Sequence, residues 1–109
     1  MNAAEAEATA MLRRALALSQ ELALAAAGGE AARAADLDAE RRRLLESLRL
    51  DRAAIDSEGR SMLREIGELN DRSIGALEHR QRAVARDLDM AVAGVRAVRA
   101  YAATGPAGR

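Results

Sequence analysis

With 109 residues and a formal net charge of zero, 17 Arg against 17 Asp and Glu, the chain is the size of one domain and has no charge excess to favour nucleic acid or an anionic membrane. Half of it is hydrophobic, yet 28 residues are Ala, one is Tyr and none is Phe or Trp, so its core should be thin and completed by a partner or a second copy. There is no Cys and no Lys, which excludes disulfides, thiolate metal sites and lysine-based catalysis.

The opening MNAAEAEATAML lacks the basic stretch and continuous apolar run of a signal peptide. No window of 18 apolar residues occurs, so the expected compartment is the cytoplasm. No segment alternates as a strand does, and the only Pro is Pro106. The pattern predicts an all-α fold: a small antiparallel bundle of three to four helices in a single domain, 1–109, with a long C-terminal helix.

The first helix is predicted over residues 2–27. Asn2 is an N-cap type with Glu5 three residues on, the spacing of a capping box. Met11, Ala15, Leu18, Leu22 and Ala25 follow at helical spacing, and Gly28-Gly29 ends the run. The second helix, 30–50, places Ala34, Leu37, Arg41, Leu44 and Leu48 on one face with Leu45 at its shoulder. So short a break between the two implies an antiparallel hairpin.

After the softer segment LDRAAIDS, with Asp56 or Ser57 as cap, a third helix is predicted over 57–103, up to the exit Thr104-Gly105-Pro106. Its interior glycines, Gly59, Gly67, Gly75 and Gly94, each cost roughly 1 kcal/mol against Ala, and Gly94 is the expected joint. Unbroken, this helix is about 70 Å long, roughly twice either of the others. Its second half has nothing in its own chain to lie against, yet Val84, Leu88, Ala91, Val92, Val95 and Val98 keep one face apolar. Such a stripe needs a cover, by folding back as a fourth helix, by a second copy or by a partner.

Several features invite a chemical reading. Leu63, Asn70, Leu77, Val84, Ala91 and Val98 recur every seven residues, and Ile74, Gln81, Leu88 and Val95 repeat beside them. Asn70 and Gln81 therefore sit in an apolar seam, as a polar pocket or as a pair that fixes register. The stretch Leu63–Arg80 resembles the first helix of the all-helical chorismate mutases, matching at Leu63, Arg64, Ile66, Asp71, Ile74, Leu77 and Arg80. Those enzymes bind a dicarboxylate with Arg and Lys. Here the helix comes last and Lys is absent, so no enzyme is expected.

His79, the only histidine, builds no zinc or nucleophilic site alone, so no metal and no cofactor are expected. The side chains of Arg41, Arg42 and Arg43 fan out on a helix, where Asp38 and Glu46 lie four residues from Arg42. Arg41 alone falls on the apolar face, either snorkelling at the bundle edge or meeting a partner's carboxylate. Tyr101 divides between packing and interface.

Taken in order, the runs ALALSQELALAAAGG, DLDAERRRLLESL, ELNDRSIGALEHRQ and AVRAYAATG resemble the flagellar export chaperones of the FliT type from about Leu12 to Tyr101. The resemblance implies a cytoplasmic helical bundle that binds the C-terminal segment of the filament cap protein and prevents its premature assembly. It also implies delivery to the type III export apparatus, through the export ATPase complex or gate, and for some members binding of a flagellar transcriptional activator. In that family the last helix can pack over the binding surface and restrain it. No strong breaker sets off a fourth helix here, so an extended homodimer stands beside that arrangement.

A partner helix is expected in a groove between the second and third helices, on Leu44, Leu48, Ile66, Leu69 and Leu77 with Arg41 as a carboxylate partner. The face of Val84, Leu88, Val92, Val95, Val98 and Tyr101 is expected to be the C-terminal cover or the dimer face. The rival reading is a structural coiled-coil dimer or scaffold.

Overall fold

The computed structural model of the chain describes residues 2–48 and 55–104. These are helical almost throughout: α1 Ala3–Ala27, α2 Ala31–Ser47 and α3 Ser57–Thr104. The expected second helix reaches two residues beyond Leu48, and Arg49 and Leu50 lie outside the described residues, as do 51–54 of the softer segment and the Gly105-Pro106 exit. Residues 1–77 and residues 78–109 form two compact units.

The helix ends follow local chemistry. The Asn2 side chain accepts from the Glu5 backbone N–H at 2.8 Å, and the Glu5 carboxylate accepts from the Asn2 backbone N–H in return, a complete capping box. At the other end of α1, Gly29 takes φ 72°, the left-handed region where a side chain is disfavoured. The Glu30 N–H then reaches the Ala25 carbonyl (2.9 Å) and the Gly29 N–H that of Ala26 (3.2 Å), the paired bonds of a Schellman ending. Of the two residues considered as cap for α3, Asp56 serves: its carboxylate accepts from the Gly59 N–H at 2.8 Å. No capping side chain marks the start of α2, which depends on its packing instead.

Residues 1–77 hold the core. One cluster joins Leu12 and Ala15 of α1, Leu48 at the end of α2, and Met62 and Ile66 of α3, flanked by Ala8, Met11, Leu16, Leu44, Leu45 and Leu63. A second joins Leu18, Leu22 and Ala25 of α1 to Ala34 and Leu37 of α2. Met11, expected on the buried face, flanks the first cluster while Leu12 fills its centre. The face is wider than the apolar pattern, because Thr9 and Ser19 are buried too. Ser19 satisfies its hydroxyl on the Ala15 carbonyl at 2.8 Å, which lets a polar side chain enter the core. Around this core run the ion pairs Arg13–Glu58 and Arg14–Glu40, each 3.0 Å, and Arg33–Glu21 at 3.9 Å. All are solvent-exposed and contribute at most a few tenths of a kcal/mol each.

The α3 glycines are alike in sequence and different in place. A Cβ on Gly59 would come 2.8 Å from Ile55 Cγ2 and 3.2 Å from Leu12 Cδ1, whereas one on Gly67, Gly75 or Gly94 meets nothing within 4 Å. The helix also runs unbroken through Gly94. Gly67→Ala should therefore stabilise residues 1–77 by roughly 0.5–1 kcal/mol through helix propensity alone. Gly59→Ala gains the same propensity but overpacks the core, and should destabilise by about 1 kcal/mol. Urea unfolding of the two variants checks the opposite signs.

Candidate partner-binding surface

Within residues 1–77, the six side chains expected to bind a partner divide by burial. Leu48 and Ile66 belong to the first core cluster, and Arg41 is buried as well. Leu44, Leu69 and Leu77 are half-buried. Leu44 packs against both clusters from their edge and also borders an open depression with Arg14, Glu40, Arg43 and Ser47. Leu44, Leu69 and Leu77 thus keep part of their surface in water, while Leu48 and Ile66 lie beneath the surface.

Arg41 enters the interior because its position on α2 shares the face of Ala34, Leu37 and Leu48. Its side chain is 8% exposed, so a full charge lies almost out of water. One guanidinium nitrogen, Nη2, donates to Asp38 Oδ1 at 2.6 Å and to Asn70 Oδ1 at 2.8 Å. The carboxylate it meets in its own chain is therefore that of Asp38, one turn earlier on α2. Asp38 is shared, since its other oxygen pairs with Arg42 Nε at 2.9 Å. Sequence reasoning paired Asp38 with Arg42 alone; the three-residue spacing from Asp38 to Arg41 was the available signal. Among the described residues Arg41 Nε is buried without a partner, a cost that Asp38 and Asn70 offset only in part. Asn70 spans from α3 to this α2 residue, so the polar position in the seam is a cross-helix tie. Nearby on α3, Ser73 is buried and returns its hydroxyl to the Leu69 carbonyl at 3.0 Å.

Arg42 and Arg43 face solvent, so the three consecutive arginines make no common patch. Arg64 and Asp71, which carry part of the chorismate mutase resemblance, are exposed along α3, and Ile74 is largely exposed.

Residues 78–104 are a different surface. Val84, Leu88, Val92, Val95, Val98 and Tyr101 are all exposed, with Val84 at 65%, Val98 at 68% and Tyr101 at 71%. Met90 is exposed as well. His79 and Gln81 also face solvent. Leu24 on α1 is a single exposed Leu of the kind found on most proteins. No described helix is long and apolar enough to cross a membrane, and among the described residues no cluster of three or more His, Cys, Asp or Glu is placed to hold a metal ion. Comparison with family models, with curated proteins and with solved structures gives no match to this chain.

Proposed function

We propose that the chain is a flagellar type III export chaperone that binds the C-terminal segment of the filament cap protein, keeps it from assembling early and delivers it to the export apparatus. The observation that carries this reading is that Leu44 of α2 and Leu69 and Leu77 of α3, all apolar, are only half-buried. An amphipathic helix reads such residues through apolar anchors spaced a turn apart. Support also comes from the order of the four resembling runs between Leu12 and Tyr101. The arrangement we infer for residues 1–77 is an antiparallel bundle. From Arg14–Glu40 to Glu21–Arg33 the ion pairs climb seven residues along α1 and descend seven along α2, as opposed helices require.

Arg41 in this reading is a structural tie, and a partner's carboxylate can take the place of Asp38 on its guanidinium. The export ATPase complex or gate and a flagellar transcriptional activator are further partners of the chaperone, and the cytoplasm is its compartment.

Calorimetric titration of a filament cap protein's C-terminal segment into the full-length chain tests the proposal. Micromolar or tighter binding is expected, with Leu69→Asp weakening it at least about tenfold by setting a charge among the apolar anchors. Unchanged affinity in Leu69→Asp would remove the site from this edge. No binding by the parent chain would reject the chaperone reading and leave a structural coiled-coil scaffold, which the exposed face of residues 84–101 favours.

A further inference from the structure

The uncovered face of residues 78–104 carries a second, independent signal. Val84, Ala91 and Val98 recur every seven residues, as do Gln81, Leu88, Val95 and Ala102, and the two series interleave at three and four residues. That is the seam of a two-stranded coiled coil. The positions flanking the seam are Glu78, Ala85, Val92 and Arg99 on one edge and Arg80, Asp87, Gly94 and Tyr101 on the other. The seam is apolar and in water, so it needs an occupant. The flanking charges say which.

We infer that the occupant is the same segment of a second copy of this chain, running antiparallel. In that orientation like edges face each other. Leu88 then packs on Ala91 of the second copy and Val84 on Val95 of the second copy, large against small at the centre. The same register sets Glu78 beside Arg99 of the second copy, and the two-fold axis repeats the pair. On the opposite edge Arg80 comes over the ring of Tyr101 of the second copy, a cation–π arrangement that gives the only aromatic residue a partner. Slipping the register by one heptad breaks the Glu78–Arg99 pair in either direction, and in one direction brings Asp87 against Asp87 of the second copy. A parallel in-register pair sets Arg80 against Ala85 and Asp87 against Val92, with no opposite charges matched. Charge pairing thus selects one orientation and one register. The dimer does not rest on the chaperone reading, because the edge proposed for the cap protein lies within residues 1–77.

Sedimentation equilibrium on the full-length chain should give twice the 11.6 kDa monomer mass at tens of micromolar. Glu78→Arg and Arg99→Glu should each raise the dimer Kd about tenfold, and the double variant should restore it to within about threefold. Orientation is read by cysteine pairing, which the absence of native Cys makes clean. An oxidised mixture of Leu88→Cys and Ala91→Cys chains should cross-link more than either variant alone. A monomer at 100 micromolar would overturn the proposal, as would cross-linking that is strongest within each single variant, the mark of a parallel pair. Failure of the double charge swap to restore the dimer would overturn the register.

Discussion

Leu12→Ala should lower the unfolding free energy of residues 1–77 by about 3 kcal/mol. Leu12 is 1% exposed and sits among Ala15, Leu48, Met62 and Ile66, side chains from all three helices. Truncation removes its buried methyl groups and opens a cavity where side chains of the three helices meet. Of the nearest neighbours, Ala15 has no side-chain reach to fill the gap, so relaxation falls to Met62 and Ile66 and is only partial. For an Ala-rich unit of this size, whose total stability is on the order of 5 kcal/mol, such a loss populates the unfolded state measurably. Urea unfolding followed by circular dichroism gives the number, with Leu24→Ala as the reference because Leu24 is exposed on the same helix. A Leu12→Ala loss no larger than that of Leu24→Ala would mean that this cluster is not the core.

Arg41 should give the second large effect, and its size depends on what replaces it. Arg41→Ala removes the packing of a long buried side chain along with its bonds to Asp38 and Asn70, and should cost about 2–3 kcal/mol. Arg41→Met keeps most of the volume and deletes a buried charge whose Nε has no partner among the described residues. Asp38 is left with Arg42 and is 30% exposed, so no buried charge is stranded and a change within about 1 kcal/mol is expected. The two variants separate packing from charge. Equal losses in both would show that the guanidinium's bonds to Asp38 and Asn70 carry the stability, and the tie would then outweigh its desolvation cost. Chemical denaturation of both, alongside Asn70→Ala, settles the division.

These effects show where sequence reading reaches its limit. Local chemistry fixes what depends on a few neighbouring residues. Asn2 with Glu5, Gly28 with Gly29, and Asp56 each satisfy orphan backbone groups within one turn, so the helix ends are written locally. Helical periodicity likewise put Ala15, Leu18, Leu22 and Leu37 on the faces that are buried, and the exposed apolar face from Val84 to Val98 was visible as a stripe. Which half-buried leucines offer an edge was not visible, since Leu44, Leu48, Ile66, Leu69 and Leu77 look equivalent in sequence and differ only in how much neighbouring helix covers them.

Tertiary structure decided the questions that turn on distance between segments far apart in the chain. Gly59 and Gly67 are the same residue in the same helix, but only Gly59 lies against Leu12, 47 positions away, because α1 closes on α3 there. Arg41 could snorkel or seek a partner on the strength of its helical face alone. That it turns inward follows from Asn70, 29 residues on, presenting an oxygen at 2.8 Å. Periodicity fixes which way a side chain points on its own helix, whereas the atoms waiting across the gap are set by how the helices pack.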